Sequence, residues 1–288
     1  MKMRNPYSEI EYSKLYSSII SGCELVQYRN IFGVFDSVNQ TFKTLPGFTL
    51  FDVNFIDVQT FFDFYGIQKA FLLCRKMQDM KLADDKGIFS FEARGLIGFE
   101  GLDDEGFWSK LQQSARKDSS RVLRKLHRSG LFAQQTNVVS DIINFVDMHN
   151  SLQIDRGFVV PQNFRVAELE ALINLQNWLL LKISKDNAVL GYTILAICGD
   201  VVDQVFLVYD SAICDSSRFV IYSSLEYAIN RLSAANYFMG GGIAENDNLE
   251  SYKISLGAKK NTAKILKYCA FQAQGYCDGI KLAGARWP

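Results

Sequence analysis

The stretch WLLLKISKDNAVLGYTILAICGDVVDQVFLVY, residues 178–209, decides the fold class. It contains three apolar runs, Trp178–Ser184, Val189–Cys198 and Val201–Tyr209, separated by two short polar breaks. Lys185-Asp186-Asn187 and Gly199-Asp200 are turn chemistry, because Asn, Asp and Gly reach the backbone conformations that tight hairpins require. The three runs therefore predict an antiparallel meander.

The flanking sequence is helical. Ser140 is placed to cap a helix from Asp141 to about Gln153, with Ile142, Ile143, Phe145 and Val146 on its apolar side. A second helix fits Arg165 to about Gln176. Downstream, Val220, Leu225, Ala228, Ile229 and Leu232 are spaced for burial along a helix from about Ser217 to Ala235. Tyr237-Phe238-Met239 reads as a short buried strand running into Gly240-Gly241-Gly242. A further helix from about Asn246 to Leu256 closes at Gly257, and Thr262–Phe271 reads as a last strand. This order describes an α/β protein with a mixed sheet and a helical crossover on each side of one strand. In the N-terminal third, Ile31–Phe35, Phe48–Val53 and Ile88–Phe91 read as strands, and aromatic-rich Val58–Met77 reads as a helix. Helical sequence over Asp103–Arg128 joins the halves, and the boundary is set between residues 1–111 and 112–288.

Composition narrows the function classes. The chain has 288 residues, 48% hydrophobic and 22% charged, with 4 prolines and no low-complexity tract, so it buries a sizeable core without long linkers. Formal net charge is zero, which removes any whole-molecule attraction to nucleic acid or anionic membrane. Glu9, Glu11 and Lys14 interrupt the segment that an export signal would need to be apolar. No apolar run reaches the roughly 18 residues of a membrane span. The 6 cysteines are scattered without a CxxC pair and read as reduced core residues of a cytoplasmic protein. The two histidines, His127 and His149, are far apart and suggest no metal site.

Two constellations carry chemistry. Arg121, Arg124 (or Lys125) and Arg128 share one helix face; such a stripe grips phosphates or an acidic sugar, or is a solvated basic face. Glycines 240–242, after a buried strand and before a helix, let a substrate lie against main chain whose N–H groups can stabilise an oxyanion. Asp247 with Glu250 reads first as a capping pattern.

Four stretches in order resemble the FemAB-like branch of the GNAT superfamily: FWSKLQQSARKDSSRVLRKLHRSGL (residues 107–131), MHNSLQIDRGFVVP (148–161), LLLKISKDNAVLGYTILAICGD (179–200) and YFMGGGIAENDNLESYKISLGA (237–258). The branch includes the aminoacyltransferases that build peptidoglycan cross-bridges. The resemblance implies two tandem GNAT-like subdomains, the first degenerate, and transfer of an acyl or aminoacyl group to an amine in envelope or polysaccharide biosynthesis. It implies Lys253 as the catalytic cation, with Tyr252 and the glycines Gly240, Gly241 and Gly242 as substrate contacts; Arg156 is a further contact or a turn-stabilising residue, Arg124 of the basic stripe a further contact, and Tyr209 and Tyr222 are cleft contacts or core residues. Lys253, in the last turn of its helix, also suits a plain role against the helix dipole. Implied co-substrates are an acyl-coenzyme A, an acyl-carrier protein or an aminoacyl-tRNA, with no resident cofactor. The acceptor is a small-molecule or nucleotide-linked amine, or a peptide. One departure bears on the donor. Where coenzyme A-dependent relatives carry a glycine-rich pyrophosphate loop, Tyr209–Ser224 has no glycine. Competing expectations are an acyl-coenzyme A or carrier-protein N-acyltransferase, and a non-catalytic binding protein of the same fold.

Overall fold

The computed structural model describes residues 11–12, 24–28, 31–44, 55–74, 87–126, 130–155, 164–240 and 248–270. In chain order the elements are β1 (Glu24–Tyr28), β2 (Ile31–Asp36), β3 (Thr41–Thr44), α1 (Phe55–Tyr65), β4 (Lys69–Cys74), β5 (Gly87–Glu100), α2 (Phe107–Ser114), α3 (Lys117–Leu126) and β6 (Leu131–Thr136). They continue as α4 (Val139–Asp155), α5 (Val166–Ile173), β7 (Trp178–Lys185), β8 (Ala188–Cys198), β9 (Val201–Tyr209), α6 (Ser216–Leu232), β10 (Asn236–Phe238), α7 (Asn248–Ser255) and β11 (Lys259–Ala270).

Packing divides the chain into two units, one comprising Tyr7–Gly95 with Thr262–Pro288 and the other built on Leu96–Asn261. The expected boundary after residue 111 falls inside α2. Ile97, Phe99, Leu102 and Leu111 share one apolar core with Leu123, Leu181 and Val220, which draws residues 96–111 into the second unit.

In the first unit β1, β2 and β3 form an antiparallel meander, β3 pairs in parallel with β4, and β4 pairs antiparallel with β11. Asp36 tightens the β2–β3 turn by accepting from the backbone N–H groups of Val38 and Asn39, both at 3.0 Å. Phe61 of α1 is fully buried and packs edge-on against Phe42 at 4.8 Å between ring centres. The helix expected over Val58–Met77 is corrected here. It stops at Tyr65 because Gly66 turns left-handed at φ +63, and Lys69–Cys74 becomes a strand with partners on both edges. Contiguous aromatics hid that change of period, since a buried strand and a buried helix are equally apolar. The Phe48–Val53 run lies outside the described residues, and Ile88–Phe91 is the start of the longer β5.

The second unit carries the meander that the sequence predicts. Its strands run in the order β5-β10-β9-β8-β7-β6, with β7, β8 and β9 antiparallel in register and β6 antiparallel to β7. β9 reaches β10 through α6, and those two strands are parallel. The other neighbour of β10 in the sheet is β5, antiparallel, and α7 leads from β10 on to β11, so a helical connection lies on each side of β10. Leu179, Leu181, Ile183, Leu190, Leu195 and Val202 face α6, while the alternating Leu180, Tyr192 and Ile194 are buried on the face that carries α4 and α5. Cover on both faces explains why β7 reads as an unbroken apolar run. Asp103–Arg128 is two helices rather than one, since Ala115 is extended and the Arg116 N–H donates to Ser255 O at 3.0 Å.

Candidate active site

β9 and β10 pair over three residues only, Val201–Asp203 against Asn236–Phe238. Beyond that point they part. At the same place the β8–β9 register slips, because Ile194 faces Phe206 while Leu195 faces Gln204, leaving Val205 as an extra residue. Such a bulge sharpens strand twist and re-aims the strand. β10 meanwhile stays with β5, the Met239 N–H donating to Ile97 O at 2.9 Å and the Ile97 N–H to Gly240 O at 3.1 Å. The β9 main chain from Gln204 to Tyr209 thus runs on beyond its pairing with β10, toward the N-terminus of α6.

A buried polar network sits at the fork. Gln204 donates to Thr193 Oγ1 at 3.1 Å and Ser224 Oγ at 3.5 Å, and Ser224 Oγ meets Tyr237 Oη at 2.8 Å. Burial pushes the Tyr237 phenol well above its usual range, so it remains a proton carrier in this network.

Around the mouth, Tyr252 of α7 shares a 2.8 Å hydrogen bond with Ser217 Oγ in the first turn of α6. The Arg218 guanidinium lies 5.8 Å from the Tyr252 ring centre. Burial raises the pKa of the Tyr252 phenol, with Tyr209 and Asp215 adding to it against the opposing effects of Ser217 and Arg218. Asp215, the residue before α6, is left-handed at φ 61 and does not cap the helix with its side chain. Its carboxylate instead accepts from Arg218 at 2.8 Å and Arg121 at 3.2 Å.

Lys253 is 9% exposed and donates to Met239 O at 2.6 Å and to Gly240 O at 3.5 Å. Its ammonium therefore grips the end of β10. Gly240 is left-handed at φ +69, a conformation that favours glycine even though open space surrounds the position a Cβ would take. Tyr209 ends β9, half-buried against the core beneath α6. Tyr222 is a core residue, fully buried with its phenol donating to Leu256 O at 2.9 Å. On the α3 stripe Arg121 is tied to Asp215, while Arg124 is exposed and bonds only weakly back to Ser120 O at 3.4 Å. Gly241, Gly242, Arg156, Arg128 and Asp247 lie outside the described residues. The structure thus brings Lys253, Tyr252, Tyr209 and Gly240 to one end of the unit. It adds Asp215 and Arg218, which sequence reading passed over, together with the Ser217 side chain; the polar Asp-Ser-Ser run opening a helix was the available signal. Among the described residues, no group of three acidic, histidine or cysteine side chains is placed to hold a metal ion.

Comparison with known proteins bears on the architecture. No protein-family model matches the chain, and no curated protein matches it. Solved structures do. The structure of FemX matches with TM-score 0.59 at 10% identity, covering 91% of this chain and 92% of that one. L-PGS from Bacillus licheniformis matches with TM-score 0.59 at 11% identity, over 93% of this chain and 94% of that one. The C-terminal domain of a protein described as a lysylphosphatidylglycerol synthetase, from Agrobacterium fabrum, matches with TM-score 0.59 at 12% identity, over 86% and 84%. The fold is thus the one shared by FemX and L-PGS. Each match spans both packing units, in keeping with tandem GNAT-like domains. The site residues gather where the pairing of β9 with β10 ends. No helix among the described residues is long and apolar enough to cross a membrane.

Proposed function

We propose that this chain is an acyltransferase, moving an acyl or aminoacyl group from an activated ester or thioester onto an amine. The acceptor is an amino sugar, a nucleotide-linked precursor or a peptide amine of envelope or polysaccharide biosynthesis, and the reaction takes place in the cytoplasm. The observation that carries the reading is the parting of β9 from β10 beside Gly240, with Tyr252 and the first turn of α6 at its mouth. A parting of that kind offers main-chain groups to an extended acyl chain and to the oxyanion formed when the amine attacks. The likeness to FemX and to a domain described as a lysylphosphatidylglycerol synthetase supports an aminoacyl donor.

In the proposed step the amine nitrogen attacks the carbonyl carbon. A C–N bond forms as the C–O or C–S bond to the carrier breaks, the amine loses a proton, and the departing oxygen or sulfur gains one. Tyr252, kept protonated by burial, donates that proton, and the phenolate it leaves takes up the proton the amine gives up, so the side chain ends the step protonated. Lys253 acts from behind the site, setting the backbone where the acyl group lies by holding Met239 O and Gly240 O. Gly241, Gly242 and Tyr209 line the substrate, and Arg124 and Arg156 meet its anionic groups.

Asp215 bears on the donor. A phosphate brought to the α6 N-terminus would meet a carboxylate and would have to take two arginines from it. This counts against seating coenzyme A pyrophosphate at that helix terminus, and the aminoacyl-tRNA or carrier-protein donor rests on the likeness given above. The test is transfer of a labelled group from each of the three donors to amino-sugar and peptide amines by the full chain. Transfer from tRNA or carrier protein, lost on ribonuclease treatment or carrier removal, bears the reading out. Transfer from coenzyme A alone overturns the donor assignment, and ligand binding without transfer moves the chain to a binding role.

A further inference from the structure

β6 is the last strand of its sheet, paired with β7 along one edge only among the described residues. A strand edge left open presents unpaired N–H and C=O groups, and monomeric proteins guard such edges with charge, proline, bulges or very short strands. β6 has none of these. Its sequence LFAQQT carries no charge and no proline, and all six residues run in unbroken register with β7. Leu131 and Ala133 point into the core beneath α6, so the alternate Phe132 points to the opposite face, where it is 59% exposed. Just past the strand, Val138, Val139 and Ile143 are 56%, 49% and 41% exposed, the last two one turn apart on α4. Apolar side chains thus flank an unguarded edge.

We infer that β6 is a homodimer interface, in which the strand pairs antiparallel with β6 of a second copy about a two-fold axis. The occupant is a second copy because the edge is self-complementary. An uncharged strand meets no like-charge repulsion from its own image, and the zero formal net charge of the chain adds none at longer range. A two-fold also brings each Phe132 onto the partner's copy of the same surface, as an isologous interface requires. At six residues the strand offers about 20 Å of edge, with the exposed apolar residues of α4 extending the contact. A heterologous partner strand would have no such reason to be uncharged.

The test is the mass of the full chain in solution by light scattering or sedimentation over a concentration series. The monomer mass is 32.6 kDa, and the expected species is twice that. Phe132→Lys with Gln134→Lys, both at exposed positions, should return the monomer mass without lowering the thermal midpoint. The matching pair Phe132→Glu with Gln134→Glu should also be monomeric, and mixing the two should restore the double mass, which misfolded variants cannot do. A wild-type chain that keeps the monomer mass at every concentration overturns the inference. So does a dimer that survives the lysine pair, or a mixture that stays monomeric.

Discussion

Lys253→Met separates the two roles open to the buried lysine. Methionine keeps the length and apolar packing of the stem and removes the ammonium. Gly240 O retains the Ile97 N–H at 3.1 Å, so the loss falls on Met239 O, which the lysine reaches at 2.6 Å. A hydrogen bond from a charged donor contributes about 1.5–3 kcal/mol, and the variant recovers part of that by no longer holding a cation out of water. The balance is a loss of about 1–2 kcal/mol, or roughly 2–8 °C in Tm for a chain of this size. Thermal unfolding of wild type and variant, followed by intrinsic fluorescence, reads this directly. If Lys253 served only as a cation for substrate, removing a buried charge would leave stability unchanged or raise it while weakening substrate binding. A Tm equal to or above wild type therefore refutes the positioning role argued from the β10 carbonyls.

Three further outcomes follow from the geometry. Gly191→Ala places a Cβ against Val208 O and within 2.8 Å of Tyr209 Cα, backbone on both counts, so chemical denaturation should show a loss of about 3 kcal/mol or more. At Asp141, burial raises the carboxyl pKa, but hydrogen bonds from Lys182, Thr136 and Tyr192 and the charge of Lys182 outweigh it and hold the pKa below its usual 3.8. Its stabilisation is thus complete above that value and lost as pH falls through the lower folded value. Asp141→Asn should lower stability at neutral pH by about 1–3 kcal/mol and flatten the acid limb of the stability curve, as acid titration of unfolding would show. Tyr252→Phe should cut kcat by about 10²-fold or more with donor KM little changed; steady-state kinetics with an unaltered rate would remove Tyr252 from proton transfer.

The second unit was legible because its residues obey local rules. Three apolar runs split by Asp-Asn and Gly-Asp turns can do little but form a meander, and β7, β8 and β9 start and end within a residue or so of the expected bounds. The first unit was not, because its signals conflict. The aromatic run through Val58–Met77 satisfies helix and buried strand alike, and Gly66 alone marks the change. β6 escaped notice for a related reason, since half of LFAQQT faces solvent at an edge and the strand carries too few apolar residues to stand out as a run. The division of the chain could not be read locally at all. It depends on β5 and β11 finding partners far away in sequence, and no local periodicity encodes which strand meets which.

At the site, the sequence singled out the glycine turn and Lys253, and the structure gives the lysine the Met239 and Gly240 carbonyls as partners. A lysine in the last turn of a helix is equally suited to solvent, dipole or substrate, and only the fold brings it to the carbonyls of β10. The glycine-free stretch before α6 had the opposite fate. Read as an absence, it counted against pyrophosphate for want of close backbone approach. On the proposed reading the Asp215 carboxylate, held by Arg121 from another helix 94 residues away, is a second and independent cause. The two causes separate experimentally. Asp215→Asn removes the charge but leaves the backbone unchanged, whereas restoring glycines changes the backbone and keeps the charge. If coenzyme A binding emerges only in the first variant, electrostatics governs the donor choice at α6; if only in the second, backbone shape does.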